Sequence, residues 1–531
     1  MLLSETWEGA IAGKITRSYH HGLKLNDLVL NGNTIDHAYD DDGLLVRAGD
    51  LKLTRNADNG ILTGTALAAT TTSQSYNAFG ELSQLIASQA GDTMLAIQYT
   101  RDKAGRITRK TETIAGQTNT TNYSYDLAGR LVKVEKDGAS ITYRYDSNGN
   151  RLSRNNVTGT YDPQDRLLTY GNASYSYTAN GELKTRASGG QTTAYRYDVR
   201  GNLTNVTLPD GTTIEYLADG RNRRIAKKVN GAKVQGFLYQ SQLRPIAELD
   251  GNGNIVSRFV YATGINVPNY MIKGGMNYRM VTDHLGSPRL VINTATGIIA
   301  QRMDYDEFGN VTHDTNPGFQ PFGFAGGLYD RDTKLVRFGA RDYNAEAGRW
   351  TAKDPIGFAG GDANLYGYII NDPLNSIDPA GLEGIVIGAQ AGGVIGFVMG
   401  AGVEVASGVY IGTEGIYQYH TLGGGFALGR GMGASISAGY VWDFDNFWGY
   451  GNEMGVNFPD VGLAICQSNP DANTWGKGPL VSAQLSKGPS LGFDGHWLKT
   501  YTWKGPGFSW SEFGAWLEGG IRQIYGVPLP Y

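Results

Sequence analysis

The sequence predicts a mainly β protein: many short strands joined by tight turns, followed by a smaller glycine- and tryptophan-rich domain that also contains strands. Three observations carry this. Glycine supplies 76 of 531 residues and tyrosine (32) outnumbers phenylalanine (17), a composition suited to pleated surfaces joined by tight turns. A unit of the form Tyr-Asp-x-x-Gly-(Arg/Asn)-(Leu/Ile) recurs. Its flanks alternate apolar and polar residues, as in Ile141-Thr142-Tyr143-Arg144-Tyr145, the period of a strand with one buried face.

Clear copies of the unit begin at Tyr125, Tyr145 and Tyr197, and looser ones at Tyr39, Tyr99, Tyr161, Tyr177, Tyr216 and Tyr305. From Tyr125 to Tyr216 the steps are 16 to 20 residues, about the length of two strands and two turns. Asp-x-x-Gly, or Asn148-Gly149, makes the reversal, with glycine taking the positive φ that other residues resist. No single copy can bury its apolar face alone, so each depends on its neighbours.

Composition excludes several classes. The formal net charge of -4 gives no basic field for nucleic acid. Cys466 is the only cysteine, which rules out a disulfide framework. Met1-Leu2-Leu3-Ser4-Glu5 has neither a basic n-region nor a sustained apolar run, so the expectation is export by specialised machinery rather than by a cleaved leader. No phosphate-binding loop and no Cys/His zinc spacing occur, and no cofactor or metal is expected.

The repeats resemble those of the Rhs/YD-repeat polymorphic toxin family over roughly residues 30–382. The resemblance is most specific in its last hundred residues. Thr282-Asp283-His284-Leu285-Gly286-Ser287-Pro288-Arg289 opens a signature that continues through Tyr305-Asp306-Glu307-Phe308-Gly309-Asn310, Arg341-Asp342-Tyr343, Gly348-Arg349-Trp350 and Asp354-Pro355-Ile356-Gly357. It closes with Asn364-Leu365-Tyr366-Gly367-Tyr368, Asn371-Asp372-Pro373-Leu374-Asn375 and Asp378-Pro379-Ala380-Gly381-Leu382. This order is similar to the Rhs repeat-associated core, except that Trp350 stands where the family usually has phenylalanine. The resemblance implies a cocoon-like shell around a carried polypeptide, ending in an aspartyl-type autoprotease. Carried over, the catalytic pair is Asp354 and Asp378, the supporting arginine is Arg341 (Arg349 second), and the cut falls between Leu382 and Glu383.

The residue types suit that chemistry. Two adjacent carboxylates cannot both ionise freely, so one keeps a proton while the other activates water. A guanidinium can anchor a carboxylate or a developing oxyanion. The competing reading is that both aspartates only cap Asp-Pro turns. Asp283, His284 and Ser287 lie close together in sequence, but no Gly-x-Ser-x-Gly elbow accompanies them, and a turn-stabilising role is expected.

The expected domains are residues 1–280 (repeat shell), 281–382 (associated core) and 383–531 (variable effector). Composition shifts at the last boundary: residues 383–531 hold 32 glycines and seven of nine tryptophans, with 6 basic and 11 acidic residues. The tail opens with an uncharged stretch, 384–403, whose Gly384, Gly388, Gly392, Gly396 and Gly400 would share one helix face, a glycine zipper long enough to enter a bilayer. A buried glycine-rich hairpin or a linker is the alternative. Further on, alternation predicts strands at 425–429, 434–442, 480–485 and 496–503. Cys466 with His420 and His496 could form a nucleophile and base, and Asp443, Asp445 and Glu453 a polar cluster; an inert cysteine and an ordinary loop explain them as well.

The functional expectation is a polymorphic toxin used in interbacterial competition that encloses and autoproteolytically releases its tail, the tail acting on membranes. The alternatives are a tail enzyme with an intracellular target, or a structural surface YD-repeat protein. Expected partners are a cognate immunity protein, a secretion-system delivery component and a target membrane; no nucleic acid is expected. The expected location is secreted or cell-surface, with the effector delivered to a target cell.

Overall fold

The computed structural model describes residues 2–20, 24–360 and 362–382, and beyond them the backbone of eight strands between Val386 and Phe508. Two compact units are present, one comprising Met1–Ala57 and Ile61–Ile395, the other Asp58–Gly60 and Gly396–Tyr531.

The first unit is built on a 31-stranded antiparallel sheet running from Ser4–Trp7 to Val311–Asp314. Each strand pairs with the next in sequence, as Gln117–Tyr125 with Leu131–Lys136 and that strand with Ala139–Tyr145. This uninterrupted meander bears out the repeat reading, and it starts well before residue 30.

The repeat unit has a specific physical content. At Asp126, one carboxylate oxygen accepts the N–H groups of Ala128 (3.0 Å) and Arg130 (2.9 Å), while Gly129 sits at φ 83°. The other oxygen accepts the Arg130 Nε–H at 2.7 Å. Arg130 then lies over the ring of Tyr145 in the next repeat, 5.1 Å from its centroid, and the Tyr145 hydroxyl donates to the Leu131 carbonyl at 2.8 Å. The same links join Arg106 to Tyr125, Arg223 to Tyr239 and Arg244 to Tyr261. The signature Tyr-Asp-x-x-Gly-Arg-Leu is thus a ladder in which each turn holds the tyrosine of its successor.

The strip returns alongside itself. Arg17 donates to the Gln240 carbonyl, the Asp50 N–H to the Tyr270 hydroxyl, and Arg279 to Thr65. Further along, Arg289 binds Glu112, and its second amino group reaches Asp304 at 2.7 Å. Apolar side chains follow the same course: Trp7, Ile11, Ile15 and Leu30 share one buried cluster with Phe237, Leu238 and Leu249.

The chain after Asp314 leaves the strip. Leu328–Tyr329, Leu335–Phe338, Arg341–Asn344 and Arg349–Trp350 form a small antiparallel sheet, packed through Phe338, Tyr343, Trp350 and Tyr368 into an aromatic cluster. This segment is tied to the repeats by the Leu183 N–H on the Thr351 carbonyl, the Tyr366 hydroxyl on the Gly181 carbonyl, and Asn375 on Tyr125.

The second unit contains a seven-stranded antiparallel sheet including Gly400–Gly412, Gly415–Leu428, Gly462–Ser468 and Asp494–Phe508. Strands at all four positions expected in the tail are present. Of the glycine-zipper stretch, the described residues are Val386–Ile387 and 400–403, and both are strand rather than helix; the remainder lies outside the described residues. So do Glu383, Asp443 and Asp445. No helix among the described residues is long and apolar enough to cross a membrane.

Candidate active site

Arg341, Asp354 and Asp378 come together in the core. One Arg341 amino nitrogen lies 2.8 Å from Asp354 and 3.2 Å from Asp378. Each residue is held by a different element. Arg341 opens the strand Arg341–Asn344. Asp354 begins the Asp-Pro-Ile-Gly turn, with its carboxylate accepting the Ile356 N–H at 3.0 Å and its carbonyl the Gly357 N–H at 3.0 Å. Asp378 follows the strand Ser376–Ile377 and accepts the Gly381 N–H at 2.8 Å, so its carboxylate shapes the turn that leads to Leu382.

Glycine makes this close approach possible. A Cβ on Gly339 would fall 2.1 Å from the Ala380 carbonyl oxygen, and one on Gly381, which has φ +65°, 2.4 Å from the Phe338 oxygen. The Ala340 N–H donates to the Ala380 carbonyl at 2.8 Å. The Asp378 turn therefore lies directly on the hairpin that carries Arg341.

The electrostatics separate the two acids by surroundings. Burial pushes the Asp354 carboxyl above its ordinary range, and Arg341 opposes that only in part. Burial also lowers the Arg341 guanidinium, against the pull of Asp354 and Asp378. Asp378 is the more enclosed, at 1% exposure against 9% for Asp354. Arg341 is further fixed by the Trp350 ring, 4.2 Å from its guanidinium carbon, and by donating Nε–H to the Gly381 carbonyl at 2.7 Å. The family's phenylalanine position thus carries an indole face under the arginine.

The arrangement brings a carboxyl with a raised pKa, a second carboxylate and one cation to the peptide segment ending at Leu382. A site of this kind can polarise a carbonyl and move protons to and from it. Arg349 is not part of it: the side chain donates to the Asp165 carbonyl and lies between Tyr161 and Tyr366, 5.0 Å from each centroid.

The Asp283-His284-Ser287 set does not form a triad. Asp283 accepts the N–H groups of Leu285 and Ser287, and the Ser287 hydroxyl accepts the Ala325 N–H at 3.0 Å. His284 bonds through Nε2 to the Leu374 carbonyl (2.7 Å) and through Nδ1 to the Tyr99 hydroxyl (2.9 Å). In the tail, His420, Glu453, Cys466 and His496 occupy strands, with Cys466 opposite Glu453 in register. No His/Cys/Asp/Glu cluster suited to a metal occurs among the described residues.

The Teneurin YD-shell family model matches residues 7–374. The chain belongs to this YD-shell family. Among its relatives, mouse Teneurin-4 is 29% identical over 371 residues, covering 66% of this chain and 13% of that protein. Zebrafish (Danio rerio) Teneurin-3 is 30% identical over 307 residues, covering 53% and 11%. The tRNA3(Ser)-specific nuclease WapA of Bacillus spizizenii is 28% identical over 309 residues, covering 57% and 12%. The matched region of this YD-shell chain thus spans little more than a tenth of these relatives' length. The crystal structure of TcdB2-TccC3 shares its fold, with a TM-score of 0.52 at 16% identity over 70% of this chain and 22% of that one. The family match ends four residues before Asp378, so the pairing of Asp378 with Asp354 rests on geometry.

Proposed function

We propose that this chain is a toxin-type Rhs/YD-repeat shell that cuts itself after Leu382 and so detaches the tail it carries. The observation that supports the cut is the single buried Arg341 nitrogen shared by Asp354 and Asp378, beside the turn that ends at Leu382. The toxin context is supported by WapA, whose name records a nuclease.

In this reading Asp354, with its raised pKa, is the acid and Asp378 the base. Asp378 takes a proton from water, the water oxygen adds to the Leu382 carbonyl carbon, and Arg341 stabilises the oxyanion. Asp354 gives its proton to the Glu383 nitrogen as the C–N bond breaks, leaving a Leu382 carboxyl and a Glu383 amine. The purified chain should yield a fragment whose N-terminal residue is Glu383, by intact mass and terminal sequencing. Asp354→Asn and Asp378→Asn should each stay whole, with folding little altered because Asn also suits these turns. Continued cutting at Leu382 in both variants would refute the aspartyl mechanism.

Delivery by a secretion system, neutralisation by an immunity protein and action of the tail on a membrane complete this reading. A second reading, a structural YD shell with uncut ends, is favoured by one fact: Asp378 already serves as a turn cap through Gly381.

A further inference from the structure

Asp342, adjacent to Arg341, points to the opposite face of the same strand. It is buried between two guanidinium groups. Arg224 donates to both carboxylate oxygens, at 2.9 and 3.0 Å, and Arg337 to one, at 3.0 Å. Arg337 also reaches Asn202, in the turn of the repeat that begins at Tyr197, at 2.8 Å. The guanidinium carbon of Arg224 lies over the Tyr216 ring, 3.8 Å from its centroid, and Tyr216 donates to Asp330 at 2.6 Å. The Asp342 carbonyl accepts the N–H and the hydroxyl of Thr351, three residues before Asp354. One face of this strand therefore builds the Arg341 site, and the other is bolted to repeat strands more than a hundred residues earlier.

We propose that Asp342 is a positioning residue that makes self-cleavage conditional on docking of the core segment against the folded repeat wall, with Arg224 as the wall's half of the lock. The inference rests on the self-cleavage reading above. Its physical basis is that a carboxylate buried between two cations has a steep, directional energy well. With the lock engaged, the strand cannot slide, and Arg341 is held where both aspartates reach one nitrogen. Before the repeats fold, Arg224 is absent from the site, the strand is unregistered and the tail stays attached. The chain would then release its cargo only from a completed wall.

The test uses the full chain and reads the first-order rate of fragment appearance across pH. Asp342→Asn and Arg224→Gln should slow cutting at least tenfold while the β-sheet circular dichroism and elution volume stay those of the parent. Displacing Arg341 from Asp354 removes the cation that restrains its pKa, so the alkaline limb of the rate profile should move to higher pH, a change that general loosening of the fold would not produce. Asp342→Glu keeps the charge, guards against an unfolded variant, and should cut at a rate between that of the parent and that of Asp342→Asn. Wild-type rates and an unshifted limb in all three, with Asp354→Asn still blocking the cut, would overturn the lock and spare the aspartyl site. Cutting in Asp354→Asn itself would instead overturn the reading on which the lock depends.

Discussion

At the residue scale, burial changes what a side chain can do. His284 illustrates this. The Leu374 carbonyl can only accept, so Nε2 carries the proton and Nδ1 accepts from the Tyr99 hydroxyl. Burial lowers its pKa from 6.5 to about 4. The unfolded chain therefore takes up a proton below pH 6.5 that the folded chain refuses until about pH 4. Native stability should fall through that window, by roughly 3 kcal/mol from this residue at its lower end. Because His284 connects the Asp-His-Leu-Gly-Ser-Pro turn to the segment just before Asp378, the loss falls close to the Arg341–Asp354–Asp378 cluster. His284→Gln keeps a donor and an acceptor but does not titrate; urea midpoints between pH 7 and 4 should flatten in this variant.

At the element scale, the stabilising unit is the turn together with the next tyrosine. Asp126 satisfies two turn N–H groups and orients Arg130, and Arg130 lies on Tyr145. Asp126→Ala should lower stability by about 1–2 kcal/mol, since it leaves turn donors without their acceptor. Asp126→Asn should cost less, because one acceptor oxygen remains. Tyr145→Phe removes the hydroxyl that donates to the Leu131 carbonyl and should cost about 1 kcal/mol. Urea denaturation checks all three: the midpoint should move while the slope stays constant. Unequal slopes would mean that a single repeat unfolds on its own, against the mutual support that a meander requires.

At the scale of the whole molecule, the decisive question is what the proposed separation of the tail would accomplish. The full chain and its Asp378→Asn variant should be expressed in bacteria both in the cytoplasm and, separately, with a periplasmic signal, and growth and a potential-sensitive dye followed together. A membrane-active tail predicts depolarisation and arrest for the parent and neither for the uncut variant. Arrest without a change in potential would point to an enzymatic tail. Normal growth in both would favour the structural shell. The lock proposed at Asp342 and this experiment bear on the same proposed event, the first on when the tail would be freed and the second on its consequence.

The sequence by itself determined the strand-and-turn repeat, because its requirements are local: an Asx cap, a glycine at positive φ and a two-residue alternation are all met within a few positions. It also marked Arg341, Asp354 and Asp378 through their motifs, and the strands of the tail through alternation. Only the tertiary structure decided that one arginine nitrogen serves both aspartates and that Arg349 belongs to a tyrosine sandwich elsewhere. It alone revealed that Asp342 is clamped by Arg224, 118 residues away, and that Trp350 supports Arg341. The partner of Asp342 lies on the repeat strand Arg224–Val229, against which the segment that leaves the strip after Asp314 packs. Contacts of that kind depend on the path of the whole sheet, which no short stretch of residues encodes.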